Sequence, residues 1–391
     1  MRRGISLVGL VAITVLAACG GNSSTTTTAT GPKTVKIAIT GPFTGDASPI
    51  GLGALHGAQM AVDEWNAKNG INGTQIQVDV GDDAGKGDQG VTLANKYVAD
   101  PDILGVIGPM FSGIALAELP LFERATLPMI TESGSNPKIT ESGWKTAHRL
   151  VARDDNQGPA DAKFALETLQ TKKVFVLDSK TPYSQGLSDL FEKTVKAGGA
   201  TTQRDVFASG VKDANPIATK IKAFNPDLVF FADEGAEAPL LLQALKGQGL
   251  SLGPNFRYMG GDGEFDATQF IKGSQGAAEG AYISNIAPDV NTVPSAATFV
   301  KNYTAKYKDL GPFDAVAYEA TNMLLTAIKS SPVKSGKVDR ADVNKALSTE
   351  TYNSILGVPL KFDSKGDVAA VGVFIFQVKS GAFQQIKAQT A

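Results

Sequence analysis

Val35-Lys36-Ile37-Ala38-Ile39 is a β-branched run that closes on Gly41-Pro42, and the apolar residues that follow, Leu55, Ala58, Val62 and Trp65, recur at helical spacing. Gly70-Ile71-Asn72-Gly73 stops that helix and turns the chain into a second strand, Ile76 to Val80. A helix through Val91, Ala94 and Val98 leads to Ile103 to Ile107, and a helix over Ile114 to Arg124 leads to the short strand Leu127 to Ile130. Strand and helix alternating in this way predict βαβ units: an α/β fold with a parallel sheet and helices on both faces.

The pattern then restarts. Val174 to Leu177, Leu228 to Phe231 and Phe256 to Met259 read as strands, with helices at Leu187 to Val195 and Ala238 to Leu245 between them. Two successive βα sets of similar length predict two similarly built lobes. Helices follow at Ala296 to Tyr307, Ala315 to Ile328 and Asp339 to Leu347, then strands at Pro359 to Phe362 and Val371 to Val378, the last returning into a sheet.

The N-terminus is of a different kind. Arg2 and Arg3 precede an apolar run from Ile5 to Val15, and small residues lead to Cys19, the single cysteine. That run is shorter than the roughly 18 residues a membrane-spanning helix needs, and its layout is that of an export signal. Leu16-Ala17-Ala18-Cys19 resembles the bacterial lipobox, which implies cleavage before Cys19 and its lipidation. Residues 1–18 are then a lipoprotein signal peptide. Residues 19–33, with Thr25 to Thr28 in a row, have almost nothing apolar to bury and are expected to be a disordered tether.

Composition excludes several functions. The chain carries 37 basic and 39 acidic residues, so no cationic excess exists to neutralise phosphates, and no nucleic-acid partner is expected. A lone cysteine forms no intramolecular disulfide, so the fold rests on its apolar core. With two histidines, His56 and His148, neither an HExxH site nor a multi-histidine metal site can be built, and no metal or cofactor is expected. A nucleophile elbow is not expected, and Gly85-Lys86 and Gly336-Lys337 lack the hydroxyl that completes a phosphate loop. Gly51-Leu52-Gly53 reads as a tight loop into a packed helix, His56 as a packing or capping residue, and His148 as a surface or inter-lobe residue.

In open α/β sheets, ligands bind beyond the carboxyl ends of strands. Polar residues cluster there. Ser112 opens a helix after Ile107, as an N-cap or as a hydroxyl that holds a carboxylate; Thr131 to Pro137, with Ser133 and Ser135, follows Ile130. In the second half Tyr183 follows Leu177, Asp233 and Glu234 follow Phe231, and Asp262 follows Met259. Hydroxyls on one lobe and an aromatic with carboxylates on the other suit a zwitterion held between them.

The chain from residue 34 onward resembles the leucine/isoleucine/valine-binding proteins, the type I solute-binding components of ABC importers. The signposts are Val35 to Ile39, Gly57-Ala58-Gln59-Met60-Ala61, Asn66 to Gly73, Asp82-Asp83, Ala94-Asn95-Lys96, Val106 to Pro109 and Ser135-Asn136-Pro137. Further along they are Gln157-Gly158-Pro159, Tyr183 to Gly186, Pro226-Asp227, Gly260 and Ala278-Glu279-Gly280. The resemblance implies two doubly wound, Rossmann-like lobes joined by a three-segment hinge near Val151-Ala152, Tyr282 to Ser284 and Gly357 to Pro359. Lobe I would then be residues 34–152 and 284–358, and lobe II residues 153–283 and 359–391. It implies a ligand carboxylate on Ser112 and Ser135, an amine held by Ser135, the Ser133 backbone and Asp262, Tyr183 as a cover and Ile50 in the side-chain wall.

It implies also a monomeric, non-enzymatic receptor, lipid-anchored outside the bacterial cell membrane, that hands an amino acid or related solute to ABC permease subunits. A ligand-sensing lipoprotein feeding a membrane receptor, a receptor for an amide or other non-amino-acid solute, and an extracytoplasmic enzyme are the competing classes. Three departures bear on the ligand. Gly85 and Phe111 stand where some members have a disulfide. Asp262 is one methylene shorter than the family's glutamate. Glu234 falls where an aromatic is common, with Asp233 the neighbouring candidate; a second acid there calls for a ligand with another cationic or polar group.

Overall fold

Strand β1 (Val35–Gly41) is buried over most of its length and pairs in parallel with β2 (Ile76–Asp82) on one side and β3 (Ile103–Ile107) on the other. With β4 (Met129–Thr131) and β5 (Ala147–Arg149) they make a five-stranded parallel sheet in the order β2-β1-β3-β4-β5. The computed structural model describes residues 31–369 and 372–389. The leader, Cys19 and nearly all of the expected tether therefore lie outside the described residues. Helices α1 (Ser48–Ala67), α2 (Gly87–Ala99), α3 (Ser112–Arg124) and the short α4 (Lys138–Glu141) connect these strands.

The second lobe repeats the plan. Strands β6 (Lys173–Asp178), β7 (Thr201–Val206), β8 (Leu228–Ala232), β9 (Arg257–Gly260) and β10 (Tyr282–Asn285) take the order β7-β6-β8-β9-β10, again parallel. Helices α5 (Asp154–Lys163) and α6 (Pro182–Ala197) pack together over one face, and α7 (Asn215–Phe224) and α8 (Glu237–Gly247) over the other. The central strands β3 and β8 are apolar at nearly every position and wholly buried, each large aliphatic or aromatic side chain contributing roughly 1.5–3 kcal/mol.

After β10 the chain returns to the first lobe through α9 (Ala297–Tyr307), α10 (Asp314–Ser330), a ribbon of β11 (Val333–Lys334) and β12 (Lys337–Val338), and α11 (Arg340–Thr349). Helix α10 lies against α1 so closely that a Cβ on Gly53 or Gly57 would overlap Asp314. Gly51, Gly53 and Gly57 thus sit inside a continuous helix rather than forming the expected loop; Gly53 and Gly57 let α10 approach, and Gly51 lies against the Pro42 backbone. Finally β13 (Val373–Lys379) pairs antiparallel with both β10 and β14 (Ala382–Gln389), so the C-terminus does return into a sheet.

The crossings between lobes follow from the cores. Leu150 to Ala152 bury in the first lobe, and α5 begins the second; Ile286 and Ala287 bury in the first again. The third crossing differs from its expected place. Pro359 to Phe362 is not a strand: Leu360 bridges Tyr352 and Phe362 bridges Val368, and all four side chains join the first lobe's core. Residues 359–368 therefore belong to lobe I, and the chain leaves it only after Val368. His148 is likewise not at the surface or between lobes. It is buried on β5 against Phe362, and burial pushes its imidazole down to about 4.

Candidate ligand-binding site

Both sheets reverse their strand order between their second and third positions, and the carboxyl ends at those switch points face one cleft. One tight cavity there is lined by Ile50, Met110, Phe111, Ser112, Ser133 and Phe313 from the first lobe and Tyr183, Glu234, Asp262 and Gly263 from the second. The lobes are drawn together around it. Asn136 Nδ2 donates to the Pro182 carbonyl at 2.9 Å, Lys212 pairs with Asp46 at 3.0 Å, and Gln269 donates to the Asp46 carbonyl at 2.8 Å.

The first-lobe wall is built from two loops tied to each other. Thr131 Oγ1 donates to the Pro109 carbonyl and Ser133 Oγ to that of Met110, each at 2.8 Å. Ser112 is the first residue of α3 but not its N-cap. Phe111 holds that position, no side chain caps the helix, and Ser112 Oγ accepts the Asn136 N–H at 3.2 Å. The first-turn N–H groups of α3 are thus left for an anion. Behind this loop Arg149, wholly buried, donates to Asp367, to Thr140 Oγ1, and to the carbonyls of Gly134 and Asn136. Ser135 does not line the cavity. It is buried, its hydroxyl has no partner, and its carbonyl accepts the Asp154 N–H at 3.0 Å.

On the second lobe, Thr181 caps α6 by accepting the Ser184 N–H, which sets Tyr183 on the first turn. Tyr183 Oη donates to Asp262 Oδ1 at 2.8 Å, a packing so close that a Cβ on Gly261 would overlap the phenol oxygen. Burial pushes the Asp262 carboxyl up to about 6, against the Tyr183 hydroxyl that holds it down. The pair Asp233 and Glu234 divides its roles. Asp233 is buried and accepts the Ala238 N–H at 2.9 Å at the start of α8, while Glu234 is half-buried and lines the cavity. Burial pushes the Glu234 carboxyl up to about 8, with Asp233, Asp262 and Asp154 adding to the rise.

Met110, Gly263 and Phe313 line the cavity beyond the expected set, as does Phe111, expected only as a counterpart of a disulfide position. Phe313 follows Gly311-Pro312 at the start of α10, and an aromatic at a helix entry was the available signal. Phe111 lies against Gly85, so the two positions compared with a disulfide do face each other. His56 packs, as expected, stacked on Tyr307 at 4.0 Å. Gly249-Leu250-Ser251-Leu252-Gly253 does spell G-x-S-x-G. It lies between α8 and β9 with Ser251 exposed, not on a strand-to-helix elbow, so it forms no nucleophile site.

A family model described as a periplasmic binding protein matches residues 34–382. The chain belongs to this family. Two curated relatives extend the match: the Leu/Ile/Val-binding protein BraC3 of Rhizobium johnstonii, 33% identical over 81% of this chain and 87% of its own length; and the leucine-, isoleucine-, valine-, threonine- and alanine-binding protein of Pseudomonas aeruginosa, 32% identical over 86% of this chain and 87% of its own. Among solved structures, the leucine-binding protein LivK of Thermotoga maritima superposes with a TM-score of 0.82 at 28% identity, covering 90% of this chain and 98% of its own. The fold is thus the two-lobed type I periplasmic binding protein. The relatives are solute-binding proteins, not enzymes.

Proposed function

We propose that this protein is an extracytoplasmic receptor that closes its two lobes on a small α-amino acid, of branched-chain type or a related polar solute, and delivers it to an ABC import permease. The observation that carries this reading is the cavity itself. The Ser112 hydroxyl and the uncapped α3 N-terminus stand on one lobe for a carboxylate, and Tyr183 with Asp262 stands on the other for an ammonium. The names of the relatives point to the same ligand class. The receptor acts as a monomer, held to the outer face of the membrane by a lipid on Cys19; no helix among the described residues is long and apolar enough to cross a bilayer.

Two measurements test these parts separately. A thermal-shift panel of amino acids, amides and short carboxylates is expected to raise the melting temperature with amino acids alone, since a ligand at 100 times its Kd stabilises by about 2.7 kcal/mol. A shift only with amides or simple carboxylates would reject the amino-acid reading. Cys19→Ser is expected to leave the membrane fraction, and a fully processed form of that variant that still sediments with membranes would reject the lipid anchor.

A further inference from the structure

The cavity presents two carboxylates, Asp262 and Glu234, and no lysine, arginine or histidine among its lining residues. Neither acid forms an ion pair among the described residues. Three neighbouring basic side chains are engaged elsewhere: Arg149 and Arg153 on Asp367, and Lys212 on Asp46. Asp262 accepts from Tyr183 at Oδ1, with the Gln157 amide also holding its carboxyl down, and lines the cavity although the residue is 3% exposed. Asp154 adds a third acid nearby, fully buried, with neither carboxylate oxygen hydrogen-bonded. The α-ammonium of an amino acid is one cation and satisfies one of these groups. A closed cleft that buries a second unpaired carboxylate stays unfavourable until another cation or strong donor meets it.

We propose that the preferred ligand is an α-amino acid whose short side chain ends in a second cation, its α-ammonium on Asp262 and its terminal ammonium on Glu234. The apolar wall of Ile50, Met110, Phe111 and Phe313 covers the methylenes between the two charges, and the tightness of the cavity limits their number. Ornithine and diaminobutanoate are of this class. The inference rests on the amino-acid reading above and narrows it.

Isothermal titration calorimetry of the purified protein with L-leucine, L-ornithine and L-diaminobutanoate tests it. Expected is a preference of about tenfold or more for a diamino acid over leucine, lost in Glu234→Gln through weaker diamino-acid binding. The ranking in the unmodified protein decides even if the variant folds poorly. Leucine binding as tightly as, or more tightly than, both diamino acids would overturn the inference and leave the amino-acid reading standing. A diamino-acid preference that survives Glu234→Gln would also overturn it. Failure of all three to bind would take both readings down together.

Discussion

Asp262→Asn is expected to abolish measurable amino-acid binding while leaving the fold intact. The ligand's ammonium would enter a water-poor cleft with no charge to meet it, and removing one partner of a buried pair costs about 3–5 kcal/mol. That is a loss of roughly 150- to 5,000-fold in affinity. Shape is conserved and the Tyr183 hydroxyl can still donate to the amide oxygen, so a thermal melt without ligand should change little. The same carboxylate sets a pH dependence. Its pKa in the free protein is pushed up to about 6 by burial, and the ammonium needs the charged form. Affinity is therefore highest above pH 6 and falls as pH drops through that value, because protonation then competes with the ligand. Calorimetry at about pH 7.5 and about pH 5, on either side of that value, reads this directly, and equal affinities in parent and variant would remove Asp262 from the site.

Arg149→Met is expected to cost about 3–5 kcal/mol of stability, more than any change in the cavity wall. The guanidinium is wholly buried and holds Asp367 at 2.6 Å, so its loss leaves that carboxylate to Arg153 and Thr140 alone and frees the carbonyls of Gly134 and Asn136. Those carbonyls belong to the loop that presents Ser133 and that reaches across to Pro182 through Asn136. Binding should weaken along with stability, although Arg149 does not line the cavity. Adding Asp367→Leu to Arg149→Met should recover part of the stability, since a buried pair replaced by apolar groups is often neutral. A denaturation midpoint unchanged in the single variant would show that the pair contributes nothing.

The parts of this fold legible in the sequence are those whose burial is written in apolar side chains. Ile103 to Ile107 and Leu228 to Phe231 stand out because central strands of a parallel sheet are covered on both faces. Strand β7, Thr-Thr-Gln-Arg-Asp-Val at a sheet edge, carries no such mark, and α5 buries Asp154, Gln157 and Asp161 in place of an apolar stripe. Neither is legible in the sequence for that reason. The third crossing was misplaced because Leu360 and Phe362 look like a strand, whereas their partners Tyr352 and Val368 fold them onto the first lobe.

The candidate site was legible as a set of strand ends, which topology makes common to all open α/β sheets. Which of two neighbouring residues faces the cleft was not. Ser133 and Ser135 are separated by the turn that Arg149 holds from behind, and Asp233 is drawn away from Glu234 by the Ala238 N–H. Both outcomes depend on a hydrogen bond to a distant or concealed partner.

A crystal structure of the protein with a bound amino acid tests the central claim most directly. The account predicts ligand density in the cleft between the lobes, its carboxylate at the α3 N-terminus beside Ser112 and Ser133 and its α-ammonium within hydrogen-bond distance of Asp262. Density in any other cleft, or a ligand turned so that its carboxylate faces Asp262, would contradict it.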